Sequence, residues 1–153
     1  NVDLLTSLGA DQVIDYKQQD YLQQVNDFDV VFDTLGGQYT LDAFKVIKQG
    51  GRVVSVSGEV DDTLARELGL NFIIRKLLSF KARKITQAAA QKKATYRMIL
   101  MNPNGAQLAD LGALYEQTKI WPTIDRSYTF ANSIEALAYL AQGRAKGKVV
   151  ITH

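Results

Sequence analysis

The alternation of short apolar runs with helical patterns constrains the fold of this chain more than any other feature. Runs rich in β-branched residues occupy 12–16, 29–34 and 52–56, and each is bounded by glycine or polar residues. Such runs are typical of strands buried on both faces of a parallel sheet. Between the second and third runs, Tyr39 to Gln49 has helical spacing and ends at a pair of glycines. This order predicts βαβ units in a doubly wound α/β domain.

The later part of the chain continues the alternation after a long helical insertion. Residues 61–94 contain no proline and one glycine, and the spacing of their large apolar residues predicts one broken or two successive helices. A strand is predicted at 96–101, followed by a helix, an extended segment at 120–130, a helix ending at Gly143 and a closing strand. Without repeats or linkers, one domain is the simplest prediction.

Composition excludes several classes of protein. With 46% hydrophobic and 22% charged residues, the 153-residue chain is typical of a globular protein rather than a disordered one. It has no cysteine, and its single histidine is His153, so neither a disulfide framework nor a cysteine- or histidine-based metal site is expected. No apolar run approaches the ~20 residues that span a bilayer, and no signal peptide is recognisable. We expect a cytoplasmic protein.

Charge is distributed unevenly along the chain. Residues 1–67 hold 12 acids and 5 bases, whereas residues 68–153 hold 4 acids and 13 bases. Eight of these bases, and no acid, lie between Asn71 and Arg97, interleaved with large apolar residues. Two interpretations stay open: a binding module for anionic lipid or nucleic acid, or a helix whose apolar face packs on the rest of the protein. The α/β character of the flanking sequence favours the second.

Three loops follow the predicted strands, at Tyr16 and Lys17, at 35–37 and at 57–59. Ligands of open parallel sheets bind outside the carboxyl ends of the strands. The glycines of these loops fit either close approach of a ligand or a tight turn. Asp33, at the end of a predicted buried strand, is interpreted as an acceptor that anchors its loop. We predict no catalytic residue and no metal ligand.

Six segments carry a family resemblance, in this order: LGADQVIDYKQQD, DVVFDTLGG, GGRVVSVSG, MNPNGAQLADLGAL, KIWPTIDRSYTF and EALAYLAQGRAKGKVVI. Together they resemble the C-terminal half of a medium-chain dehydrogenase/reductase of the quinone oxidoreductase branch. The resemblance implies a Rossmann-like sheet and a zinc-free enzyme that transfers hydride to a quinone or another activated carbonyl or alkene. NADPH is the expected hydride donor, and NADH is the alternative. A zinc-containing alcohol dehydrogenase is the alternative within enzymes.

The resemblance also implies a role for individual positions. It places Tyr16 beside the adenosine end of the cofactor and Gly37 near the ribose. The remaining predicted cofactor residues are Val56, Ser57 and Gly58 on the nicotinamide side, Ile99, Leu100 and Met101 along the nicotinamide-ribose strand, and Lys148 near the phosphates.

By the same resemblance, the chain is a truncated cofactor domain. It would keep strands 3 to 6 of the order 3-2-1-4-5-6 and lack the first two, together with the glycine-rich phosphate turn and the substrate domain. We therefore expect this chain alone to be inactive and the strand at 29–34 to have a free edge. Either the strand at 12–16 moves beside it, or two chains pair edge to edge. The expected partners are a small-molecule substrate and a second copy, with no nucleic acid and no membrane.

Overall fold

The structure, a computed structural model, describes residues 2–118 and 121–153. Lys119 and Ile120 lie outside the described residues, and Ile120 is the first residue of the predicted extended segment. The chain divides into two compact units. The larger unit is Gln12–Asn102, and the smaller unit combines the residues up to Asp11 with Pro103–His153. Each unit is described by itself.

Helices and strands alternate along most of the chain. None of the described helices is both long and apolar enough to cross a membrane. The helices are α1 (Val2–Ser7), α2 (Gln38–Val46), α3 (Asp62–Glu67), α4 (Phe72–Lys81), α5 (Arg83–Gln91), α6 (Gly105–Thr118) and α7 (Ser133–Ala141). The strands are β1 (Phe28–Asp33), β2 (Ile47–Ser55), β3 (Thr95–Met98), β4 (Ile124–Thr129) and β5 (Lys148–Thr152).

The larger unit is built on a parallel three-stranded sheet in the order β1-β2-β3. Its central strand, β2, has a neighbour on each side and contributes Ile47 and Val53, both with no exposed surface. Helices α2 and α5 supply most of the remaining core. The core cluster consists of Ala43, Phe44, Ile47, Val53, Ile85 and Ala89. The predicted parallel α/β architecture is thus confirmed.

The predicted strand at Gln12 to Tyr16 is wrong. Residues 12–15 form no strand, and the chain turns at 16–18. The Asp15 carboxylate accepts a hydrogen bond from the Lys17 amide at 3.0 Å, which stabilises the turn. Within the described residues β1 pairs only with β2, so movement of residues 12–16 beside β1 is also wrong. Edge-to-edge pairing of two chains stays a prediction.

Three other features differ from the sequence prediction: the end of a helix, the number of helices in the insertion and the end of a strand. Helix α2 ends at Val46 rather than Gln49, because β2 begins at Ile47 and its register with β1 shifts before Arg52. The helical insertion is confirmed, but it consists of three helices instead of one or two. Strand β3 ends at Met98, so Ile99, Leu100 and Met101 lie beyond it. It stops there because its partner β2 ends at Ser55, opposite Met98.

The smaller unit pairs β4 with β5 in parallel, with α7 packed on both. Among the described residues of this unit, Ala136 of α7 is the one apolar residue that is buried. Tyr139 donates a hydrogen bond to Asp125 at 2.7 Å and lies under the guanidinium group of Arg126. The predicted closing strand is confirmed as β5.

Candidate functional site

The carboxyl ends of β1, β2 and β3 lie at one edge of the parallel sheet, which we call the carboxyl edge. Just past the strand ends, backbone hydrogen bonds still join the segments that follow neighbouring strands. The Val56 amide donates to the Asp33 carbonyl at 3.0 Å, and the Ile99 amide donates to the Ser55 carbonyl at 2.9 Å. The loops that follow the three strands therefore start side by side.

Asp33 anchors the first of these loops. The side chain is 6% exposed and accepts four hydrogen bonds. One carboxylate oxygen accepts from the amides of Leu35 and Gly36, both at 2.9 Å. The other accepts from the hydroxyl groups of Thr40 at 2.5 Å and Ser55 at 2.8 Å. Asp33 thus joins the end of β1 to its own loop, to α2 and to β2.

The electrostatics of Asp33 agree with an anchoring role. Burial raises the pKa of the carboxyl, but the hydrogen bonds from Thr40, Gly36, Ser55 and Leu35 lower it by more, so the pKa lies below its ordinary value. Asp33 is therefore ionised near neutral pH, and its two oxygens are fully engaged. The interpretation of Asp33 as a loop anchor rather than a general base is confirmed by this geometry.

The glycines of the carboxyl edge have different roles. A Cβ on Gly36 would lie 2.2 Å from the Ser57 carbonyl oxygen, so this glycine permits close packing of two loops. The Ser57 hydroxyl group donates to the Thr34 carbonyl at 3.0 Å and ties the same loops together. Gly37 has φ +59° and no atom within 4 Å of the Cβ position. Of the two glycines, Gly37 is the one beside which a ligand has room.

Tyr96 supports the loop after β2 from within the unit. Its hydroxyl group donates to the Glu59 carbonyl at 2.7 Å. A Cβ on Gly58 would meet the same hydroxyl group. Burial, with a smaller contribution from the nearby charge of Asp61, raises the pKa of Tyr96 to about 12. The phenol therefore stays protonated and keeps its hydrogen bond near neutral pH.

A cleft of about 460 Å³ opens beside β1 and α2. Its volume lies within the range of about 300–1,000 Å³ that is common for small-molecule sites. Tyr16, Tyr21 and Tyr39 contribute aromatic surface to it. Its lining residues are Ile14, Tyr16, Tyr21, Val31, Phe32, Asp33, Thr34, Leu35, Tyr39, Ala43 and Val46.

Sequence reasoning singled out only one of the three tyrosines of this cleft. Burial, assisted by the charge of Asp42, raises the pKa of Tyr21 to about 12. Tyr39 lies in the first turn of α2, two residues after Gly37. That position in the chain, just past a glycine at the carboxyl end of a strand, is the signal that could have identified it.

The structure brings most of the predicted cofactor residues to the carboxyl edge. Gly37 belongs to the loop after β1, and Val56, Ser57 and Gly58 belong to the loop packed against it. Tyr16 lines the cleft beside them. Ile99, Leu100 and Met101 follow β3 at the same edge, where they line a separate hollow of about 320 Å³ with α3. Lys148 belongs to the smaller unit, in which it begins β5.

A family model described as zinc-binding dehydrogenase matches residues 8–151. The parallel α/β fold and this match together define the class of protein. The chain belongs to the zinc-binding dehydrogenase family, and the resemblance to medium-chain dehydrogenases/reductases is confirmed.

Two curated relatives are plant reductases. The chain is 33% identical to the 2-methylene-furan-3-one reductase of Solanum lycopersicum, over 98% of this chain and 30% of the relative. It is 30% identical to the chloroplastic NADPH-dependent alkenal/one oxidoreductase of Arabidopsis thaliana, over 98% of this chain and 31% of the relative. The chain thus spans about a third of the length of these relatives.

A solved structure with the same fold is the quinone oxidoreductase of Coxiella burnetii. The TM-score is 0.74 at 25% sequence identity, and the match covers all of this chain and 42% of the solved one. A cobalt- and zinc-bound alcohol dehydrogenase from Pyrobaculum aerophilum matches with a TM-score of 0.67 at 22% identity, which shows a common fold only.

The zinc that the family description implies does not fit the donor set of this chain. Protein zinc sites are built mainly from cysteine, histidine and carboxylate ligands. This chain has no cysteine and one histidine. Over residues 2–118 and 121–153, no three histidine, cysteine or acidic side chains come together as a metal site would require.

The residues of the carboxyl edge do fit a nicotinamide dinucleotide. The aromatic cleft offers flat surfaces for an adenine ring, and Gly37 leaves space for a sugar. Val56 and Ile99, each about 40% exposed, offer apolar surface at the other end of the edge.

Proposed function

We propose that the chain is part of an NADPH-dependent reductase that transfers hydride to an alkene conjugated with a carbonyl group, or to a quinone. Both plant relatives are named for conjugated carbonyl substrates, and the solved relative is named for quinones. NADH is the alternative donor. The proposal includes a zinc-free reaction, because the sequence resembles the quinone oxidoreductase branch, for which the resemblance implies an enzyme without zinc.

The observation that carries the proposal is the anchored carboxyl edge. Asp33 fixes the loop after β1, Tyr96 fixes the loop after β2, and the two loops interlock through Gly36 and Ser57. A cofactor bound across this edge meets surfaces that are already ordered, which lowers the entropic cost of binding.

The residues of the chain bind and orient the cofactor in this proposal. When bound, NADPH supplies the hydride. Tyr16 contacts the adenosine end, Gly37 gives the ribose room, and Val56 to Gly58 support the nicotinamide. Reduction of an alkene also requires a proton, but neither Asp33 nor Tyr96 is proposed as its donor. Asp33 is ionised, and the Tyr96 hydroxyl group is already donating to Glu59.

The proposal extends to the longer protein, its assembly and its compartment. We propose that it acts within a longer polypeptide that supplies a phosphate-binding turn and a substrate domain. A second copy would pair at the free edge of β1 and, as the resemblance implies, at the outer edge of β3 as well. Each of these strands has only β2 as its neighbour in the described sheet. We keep the cytoplasm as the proposed compartment because the absence of cysteine fits a reducing environment.

Two matched glycine variants test the proposed cofactor site. Gly37 and Gly69 both have positive φ and no atom near the Cβ position, so an alanine at either position meets backbone strain but no clash. Gly37 also has ψ −125°, outside the left-handed region that alanine can adopt, so circular dichroism should first show that Gly37→Ala folds. Saturation-transfer NMR with NADPH should detect weak binding to the parent chain and to Gly69→Ala, and weaker binding to Gly37→Ala. An equal effect of both variants would contradict the placement of the site. Submicromolar affinity of this chain alone would contradict the need for a longer polypeptide.

The reaction itself is tested on the longer polypeptide with a panel of quinones and conjugated aldehydes and ketones. We expect NADPH oxidation that depends on the acceptor and that persists after treatment with a zinc chelator. Failure of every acceptor with both nicotinamide cofactors would rule out the proposed reaction.

A further inference from the structure

Helix α4 exposes a large apolar surface despite being the most apolar part of the helical insertion. None of its 10 residues is buried. Ile73, Leu77 and Phe80 have the i, i+4, i+7 spacing that aligns side chains on one face of a helix, and Phe72 adjoins them. These four side chains are between 68% and 78% exposed. The interpretation of the insertion as a helix that packs by its apolar face, which the flanking sequence favoured, does not hold for α4 within the described residues.

Basic side chains border this apolar face. The Lys76 ammonium group lies 5.5 Å from the centre of the Phe72 ring, and the Arg83 guanidinium group lies 5.8 Å from the centre of the Phe80 ring. Both cations lie close enough for cation–π attraction. The apolar and positively charged groups therefore form one mixed surface.

The ion pairs of α4 leave that surface free. Arg75 pairs with Asp62 at 2.7 Å, and Lys81 pairs with Glu59 at 3.0 Å. These contacts hold the helix to α3 and to the loop after β2. Because the sequence from Asn71 to Arg97 contains no acid, the positive charge of the mixed surface is not offset by neighbours within this stretch.

We propose that the face formed by Phe72, Ile73, Leu77 and Phe80, with Lys76 and Arg83 at its border, docks on anionic lipid membranes. A helix with large apolar residues on one face and cations beside them lies in the interface between lipid headgroups and acyl chains. The anionic headgroups complement the two cations, while the four apolar side chains lose their contact with water. This inference revises the expectation of no membrane partner.

A lipid surface fits these residues better than nucleic acid does. Phosphate contacts would use the two cations but leave Ile73 and Leu77 in water. Phe72 and Phe80 offer rings on which unpaired bases stack, but the aliphatic Ile73 and Leu77 between them offer none. The proposal is independent of the cofactor site, because none of these residues belongs to it.

Co-sedimentation of this chain with vesicles tests the proposal. We expect binding to vesicles made of equal parts of phosphatidylserine and phosphatidylcholine, weakening as salt is raised, and little binding to phosphatidylcholine alone. Lys76→Glu with Arg83→Glu should reduce binding about tenfold or more. Ile73→Ser with Leu77→Ser should also reduce binding about tenfold or more, because each substitution removes apolar surface that the bilayer would bury.

The matched control reverses two exposed charges elsewhere, Lys17→Glu with Arg144→Glu. These changes alter net charge by the same amount as the test pair and should change binding less than about twofold. Circular dichroism should show that all variants fold. Equal losses in control and test pairs, equal binding to both vesicle types, or no binding at all would overturn the proposal.

Two further measurements separate lipid from other occupants of the face. A gel mobility shift with double-stranded DNA or single-stranded RNA should show no complex that Lys76→Glu with Arg83→Glu removes. Sedimentation velocity should show the same oligomeric state for the parent chain and for Ile73→Ser with Leu77→Ser. A shift removed by the first pair, or a dimer removed by the second, would reassign the face to nucleic acid or to a second copy. Failure here leaves NADPH binding unaffected, so it is distinguishable from failure of the proposed function.

Discussion

The carboxyl edge and helix α4 are built in opposite ways. At the carboxyl edge a charged residue, Asp33, is buried with four hydrogen-bond donors around it. On α4 the largest apolar side chains, such as Phe72 and Ile73, are exposed. A buried charge is tolerated where every oxygen is satisfied, and it then makes a rigid loop frame. An exposed apolar face costs free energy in water, and that cost is recovered only when something covers the face.

The neighbouring helices α4 and α5 sharpen the contrast. Helix α5 has fewer large apolar residues, yet Ile85 and Ala89 are buried against the sheet. Its alanines allow the backbone to approach closely. Apolar content alone therefore does not decide which of two adjacent helices packs on a core.

The largest expected effect is the loss of the anchor at the carboxyl edge. Asp33→Ala would leave two amides and two hydroxyl groups without their acceptor, and we expect it to lower the free energy of unfolding by about 4 kcal/mol. Urea denaturation at neutral pH measures this. A loss below about 1 kcal/mol would mean that the carboxyl edge is not held by Asp33.

The next effect compares equivalent truncations of α5 and α4. Ile85→Ala leaves a cavity in the core, so it should lower the free energy of unfolding by about 3 kcal/mol. Ile73→Ala removes a side chain that is 78% exposed, so it should change stability by less than about 0.5 kcal/mol. Urea denaturation of the two variants side by side gives both values. Equal losses would show that α4 is packed in solution and would remove the contrast.

Loss of a single hydroxyl group at the carboxyl edge should have a smaller effect. Tyr96→Phe keeps the ring and its packing but removes the donor to the Glu59 carbonyl, which should cost about 1 kcal/mol of stability. The affinity for NADPH should also fall, because the loop carrying Gly58 loses its support. Calorimetric titration checks this, and Tyr139→Phe, which removes a hydroxyl donor in the smaller unit, is the control.

The smallest effect is a pH dependence of stability that belongs to Asp33. Because its pKa is lower in the folded than in the unfolded chain, its stabilisation is fully present above the unfolded value of about 3.9 and is lost as pH falls below it. Between about pH 5 and about pH 3, the free energy of unfolding of Asp33→Asn should therefore fall less steeply than that of the parent chain. Chemical denaturation across this range measures it, and identical slopes would contradict the lowered pKa.

The sequence predicted most of the carboxyl edge correctly, for identifiable reasons. The run DVVFD has the continuous apolar character of a strand in a parallel sheet, and an aspartate at its end can accept hydrogen bonds from the following turn. The glycines after β1 and β2 marked the loops. Which glycine packs on a neighbouring loop and which leaves space could not be predicted, because the answer for Gly36 depends on Ser57, 21 positions away in the chain.

Sequence patterns were least reliable where pairing or packing partners decide the outcome. Residues 12–16 have strand composition, but a strand needs hydrogen-bond partners, and these residues pair with no strand of the described sheet. The prediction that the strand continues through residues 99–101 was wrong for the same reason, because its partner β2 ends at Ser55. Tyr21 and Tyr39 join Tyr16 in one cleft only through the tertiary fold.

The sequence by itself determined the parallel α/β class, the helical nature of the insertion and the positions of the loops at the strand ends, because these follow from residue spacing within short windows. Tertiary structure decided which edge of β1 stays unpaired, how Asp33 is satisfied and why α5 is buried while α4 is exposed. These properties depend on contacts between residues far apart in the chain, and a local pattern carries no record of such contacts.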